Sequence, residues 1–100
     1  MIIFIGKITH ATPENAVRAL EKAGDGDALS AAEPGCVHYT HAQDFHDKRV
    51  IWLVHVYKTI PDVQAHLDAD FYPALKAAVT DGSIAMEVSQ YVGMEAFSFL

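Results

Sequence analysis

The sequence predicts an α+β fold, with helices covering one face of an antiparallel sheet. Three observations carry that prediction. Four runs rich in β-branched and aromatic residues recur along the chain, at 2–10, 36–42, 48–57 and 83–92. Helix-start signals, Thr12-Pro13 and Thr59 with Pro61 and Asp62, follow the first and third runs. The second and third runs are separated only by Gln43-Asp44-Phe45-His46-Asp47, a connection of hairpin length.

The first strand, IIFIGKITH over 2–10, is bounded by Thr12-Pro13. Thr12 is the expected N-cap, Pro13 opens the helix with its fixed φ, and Glu14 complements the helix dipole. Val17, Leu20 and Ala23 follow at helical spacing. Gly24-Asp25-Gly26-Asp27 is expected to weaken or interrupt this helix, because an interior Gly costs roughly 1 kcal/mol relative to Ala. Pro34-Gly35 ends the segment.

Cys36 to Ala42 then reads as a strand, and Lys48 to Tyr57 as its hairpin partner, nearly all apolar and hence buried on both faces. Thr59 begins a short helix whose apolar side is Val63 and Leu67. Pro73 separates it from a further helical stretch carrying Leu75, Ala78 and Val79. Asp81-Gly82 turns the chain into a last strand, Ser83 to Val92. The order strand, helix, strand, strand, helix, strand is the ferredoxin-like βαββαβ arrangement, one domain over residues 1–100.

Composition narrows the function classes. Of the 100 residues, 51% are hydrophobic and 20% charged, which excludes a disordered chain. A net charge of −6 argues against nucleic acid or an anionic membrane as partner. Cys36 is the only cysteine and has no internal partner. The apolar start Ile2–Ile5 is too short for a signal peptide or a membrane span, so the expectation is a soluble cytoplasmic domain. Six histidines in so short a chain are the first sign of chemistry.

Period-two alternation divides the 48–57 strand into two sets. Ile51, Leu53, His55 and Tyr57 share one face and carry the polar groups, as a cavity wall would. Val50, Trp52, Val54 and Val56 share the other, which is read as packing against the helices. A sheet face left open and apolar calls for a partner, and two such sheets meeting would enclose a cavity. The apolar tail from Tyr91 to Leu100 is read as contacting the second subunit.

The run Glu33-Pro34-Gly35-Cys36-Val37-His38-Tyr39 resembles the E-P-G-C-x-x-Y segment of the antibiotic biosynthesis monooxygenase (ABM) family. Tyr57, followed nine positions later by the histidine of Ala65-His66-Leu67 and then by Phe71, is a second match. The resemblance spans nearly the whole chain and implies a dimeric α+β barrel. It implies, further, a small cofactor-independent monooxygenase acting on a planar phenolic or enolisable substrate. Members of the family also include isomerases of small ketones and domains with no known activity, so an isomerase and a non-catalytic binding or stress-response domain are the alternatives. The Asn, Trp and His of the haem-degrading relatives would fall on Lys7, His66 and Lys76, and none matches. The Asn, Trp and Tyr of the polyketide-oxidising type would fall on Leu53, Tyr57 and Val63, where only the aromatic at Tyr57 survives. The usual family Glu two positions before that aromatic is His55 here.

An imidazole in a cavity takes protons near neutrality, so His55 and His66 are the expected proton acceptors. Tyr57 is expected to stack on a ligand or to donate to a developing anion. Lys7, His38, Ile51 and Leu53 are the expected substrate-contacting residues. His38 and His41, three apart on one strand, point to opposite faces, and no compact ligand spacing supports a metal or another cofactor.

Overall fold

A computed structural model describes residues 1–95. Its elements run β1 (Ile2–His10), α1 (Pro13–Ala31), β2 (Cys36–Gln43), β3 (Val50–Tyr57), α2 (Ile60–Leu67), α3 (Tyr72–Thr80) and β4 (Ser83–Val92). The four strands form one antiparallel sheet in the order β2-β3-β1-β4, so the first strand of the chain lies inside and is paired on both edges. Residues 96–100, the end of the apolar tail read as a subunit contact, lie outside the described residues.

Both helix-start signals act as read. Thr12 Oγ1 accepts from the Asn15 N–H at 3.1 Å and Thr59 Oγ1 from that of Asp62 at 3.3 Å, with a proline in the first turn of each helix. Pro73 opens α3, and Gly82 takes the positive φ that the turn into β4 requires.

All helices cover the same sheet face. Ala16, Ala19 and Ala23 of α1 meet Ile8, Ile51 and Leu53 of the sheet and Leu75 and Val79 of α3 in the core. Alanines on α1 let it lie close to the strands, leaving the larger side chains to fill the layer.

The expected interruption of α1 at Gly24–Asp27 does not occur, and the helix runs unbroken for 19 residues. Gly26 explains why: a Cβ there would stand 2.8 Å from Leu75 Cδ1, so its bare backbone is where α3 docks. Packing gained there offsets the intrinsic cost of glycine. At Gly24 a Cβ would meet nothing within 4 Å. Gly24→Ala is therefore expected to stabilise the fold by about 0.8 kcal/mol, and Gly26→Ala to destabilise it by roughly 1–3 kcal/mol. Urea midpoints of the two variants check this, and equal shifts of the same sign would refute the docking role of Gly26.

The division of β3 into two faces holds, but the side assigned to each set is corrected. Ile51, Leu53 and Tyr57 are buried on the helix side, whereas Trp52 is 39% exposed on the opposite face, with its Nε1–H donated to Asp44 Oδ1 at 2.8 Å. Both faces of the strand are apolar, so alternation separates the sets without saying which meets the helices. Ile5 and Trp52, with the half-buried Ile3, Val54 and Val56, make the open face.

Candidate functional site

Between the helix-facing side of the sheet and helices α2 and α3 lies a cavity of about 330 Å³. The strands supply Phe4, Tyr39, Leu53, His55 and Val88 to its wall, and the helices supply Val63, His66, Tyr72 and Lys76. It therefore lies within one chain, between sheet and helices, and not between two facing sheets as expected from the sequence. A volume of this order suits a small organic molecule.

The strand register brings the histidines together. Tyr39 pairs with His55 and His41 with Leu53, so Tyr39 and His41 share a face with His55 and Tyr57. Tyr39 stacks on His55 with ring centroids 3.7 Å apart and planes 7° from parallel. The Nε2 atoms of His41 and His55 are 3.1 Å apart, and His41 Nδ1 is 2.8 Å from Asp27 Oδ1 on α1. An unbroken α1 is what carries Asp27 to this point. Burial, followed by the neighbouring His41, His66 and His38, holds the His55 pKa down at about 3. The ring is therefore neutral across the physiological range.

A second set surrounds Glu33, in the turn after α1. Its Oε1 accepts from the Tyr57 hydroxyl at 3.0 Å and from His66 Nδ1–H at 2.7 Å. His66 and Tyr57 are both buried. Burial, then the hydrogen bond to Glu33, pushes the Tyr57 pKa far above the usual phenol value. Tyr57 thus keeps its proton, and that proton is committed to Glu33. Burial likewise raises the Cys36 thiol, as in an inert structural cysteine.

Of the residues singled out from the sequence, His55, His66, Tyr57 and Leu53 line the cavity. Ile51 lies beneath it in the core, fully buried. Lys7 and His38 are on the opposite face of the sheet: Lys7 Nζ stands 5.9 Å over the Trp52 ring, and His38 Nε2 is 2.7 Å from Thr40 Oγ1. Fold geometry thus leaves neither within reach of a ligand in the cavity. The sequence reading missed Asp27, Glu33, Tyr39 and His41 as parts of the site. Tyr39 and His41, two apart beside a strand carrying His55 and Tyr57, were legible by parity; the two carboxylates were not. His10, fully buried with neither ring nitrogen partnered among the described residues, does not line the cavity. No three His, Cys, Asp or Glu side chains among those residues form a metal-ligand group.

The sequence profile of the antibiotic biosynthesis monooxygenase family matches residues 1–80. The chain belongs to the ABM family. Nothing among curated proteins matches it. Solved structures similar to the ABM chain include a candidate antibiotic biosynthesis monooxygenase from Deinococcus radiodurans, with a TM-score of 0.82 at 17% identity. That match covers 100% of this chain and 99% of the other. A second such candidate, from Nitrosomonas europaea, has a TM-score of 0.78 at 23% identity and covers 95% and 100% of the two chains. A Pseudomonas aeruginosa protein, PA3566, has a TM-score of 0.79 at 20% identity over 94% of each chain. At these identities the structural likeness speaks for the ABM fold alone. No helix among the described residues of this ABM chain is long and apolar enough to cross a membrane.

Proposed function

We propose that the cavity is the active site of a small monooxygenase that works without a cofactor on a planar phenolic or enolisable molecule. The observation that supports this is an open, largely apolar cavity into which two imidazoles are set, each held through a partly buried hydrogen bond. Had Ile51, Leu53 and Met86 filled the space, no site would remain. An apolar cavity favours a planar ring, and a neutral imidazole accepts a proton from an acidic O–H or C–H. Lys76, the only lysine or arginine on the lining among the described residues, is the partner for the resulting anion. It takes the place that Lys7 was expected to hold. A substrate CH₂ that loses a proton here reacts with dioxygen. One oxygen atom stays as the new carbonyl, and the other leaves as water with the two hydrogens of the carbon.

Oxygen uptake and product formation with a panel of phenols, quinols and hydroxyketones test the reading. Wild-type protein is expected to consume oxygen with at least one of them, and His55→Ala to lose about 100-fold or more in kcat. The reading fails if no compound is turned over with oxygen uptake. Turnover of a hydroxyketone without oxygen would make the protein an isomerase. One observation favours plain binding: the Tyr57 hydroxyl is committed to Glu33 and cannot donate to an oxyanion. Binding of panel compounds without turnover would decide for that reading.

The same proposal includes a homodimer. The open sheet face carries Ile5, Trp52 and Val54, an apolar surface that a second copy covers in the barrel implied by the family. A solution mass of one chain at micromolar concentration would refute it.

A further inference from the structure

His55 faces the cavity, yet it is a poor resting place for a positive charge, since burial and the surrounding rings oppose its protonation. His41, its side chain only 1% exposed and itself part of the cavity wall, stands between His55 and the Asp27 carboxylate. Asp27 can only accept from His41, so a neutral His41 carries its hydrogen on Nδ1 and presents a bare Nε2 to His55. The 3.1 Å contact between the two Nε2 atoms then needs a hydrogen from His55. That choice leaves His55 Nδ1 as the ring nitrogen with an unused lone pair. Tyr39, stacked on the ring, holds its plane.

We propose that Asp27, His41 and His55 form a proton relay in which His55 takes the substrate proton at Nδ1 while its Nε2 proton passes to His41 Nε2. The step balances: one proton leaves the substrate, one moves between rings, and the substrate is left as an anion. His55 is neutral again, as its other tautomer, and His41 is an imidazolium 2.8 Å from the Asp27 carboxylate. The positive charge rests where an opposite charge stabilises it, beside the Asp27 carboxylate. Asp27 and His41 are positioning residues, acting through His55, and the inference rests on the proton-abstracting role proposed above. The titratable groups around the two rings are Asp27 from α1, Tyr39 from β2, His66 from α2 and His38 on the far face of the sheet. Glu33 and Tyr72 stand beyond them against His66.

Nitrogen-15 spectra of the imidazoles, assigned by single His→Gln substitutions, test this in the free protein without any substrate. Near neutral pH, His55 is expected to carry hydrogen only at Nε2 and His41 only at Nδ1, with a scalar coupling between the two Nε2 nuclei. In Asp27→Asn, which keeps the shape of the side chain but loses its charge, the His41 Nδ1 proton resonance is expected to move upfield, because a charge-assisted hydrogen bond becomes a weaker neutral one. Hydrogen on His55 Nδ1, hydrogen on His41 Nε2, or an unmoved His41 Nδ1 proton resonance in a folded Asp27→Asn would each overturn the relay. The wild-type spectrum decides even if the variant fails to fold. A relay seen in the spectra of a protein that turns over no panel compound would reject the oxygenase and keep the relay. An active His41→Gln variant with wild-type kcat and pH profile would do the reverse.

Discussion

Glu33→Ala is expected to lower the unfolding free energy by about 3–4 kcal/mol, a large share of the stability of a domain this size. One carboxylate oxygen serves two buried donors, the Tyr57 hydroxyl and His66 Nδ1–H. Removing it orphans both, and each unsatisfied buried donor costs about 1–3 kcal/mol. The two donors come from β3 and α2, so Glu33 also ties the helical wall of the cavity to the sheet. Glu33→Gln keeps an oxygen that can accept but lacks the charge, and its expected loss is smaller, about 1–2 kcal/mol. Urea unfolding of the three proteins gives the comparison, with equal m values needed for the midpoints to be read as stability. A loss below about 1 kcal/mol for the alanine variant would mean that Tyr57 and His66 find other partners.

Stability is expected to fall as the pH drops from about 6.5 toward 3, with His55 the group responsible. The sign follows from where the protons go. An unfolded chain protonates His55 near its ordinary value of 6.5, whereas the folded protein holds the ring neutral down to about 3. Between those values the unfolded state binds more protons and acid favours it. The slope for one such group is about 1.4 kcal/mol per pH unit, so the loss at pH 4.5 is about 2–3 kcal/mol. Asp44, Asp47 and Asp81 are held below their ordinary value of 3.8 and enter only under more acidic conditions. Chemical unfolding of the wild type and of His55→Gln between pH 4.5 and 7.5 is the measurement. His55→Gln is expected to show the shallower dependence, and parallel curves would assign the acid sensitivity to other groups.

How much could be read in advance depended on the range over which each interaction acts. Thr12-Pro13 and Thr59-x-Pro61 marked helix starts because capping is settled within one turn of chain. Alternation in Val50–Tyr57 grouped His55 with Tyr57 for the same local reason. It could not orient Trp52, because both faces of that strand are apolar and only the docked helices distinguish them. Lys7 and His38 were misplaced in the site by the same ambiguity, one strand to either side of β3. Gly26 looked like a helix breaker because its benefit, room for Leu75, comes from a residue far along the chain.

The sequence by itself determined the elements, their order, membership of the ABM fold, and four of the residues around the cavity: Leu53, His55, Tyr57 and His66. These depend on local propensity, on period-two spacing and on short motifs, all of which act within a few residues. Only the tertiary structure decided that the cavity lies between sheet and helices, and that Asp27 and Glu33 stand behind the imidazoles. A carboxylate in sequence is a solvated charge until packing removes it from water beside a donor. Asp27 meets its donor only once α1 is laid across β2, and Glu33 only once β3 and α2 close on the turn after α1, so no spacing along the chain could announce either pairing.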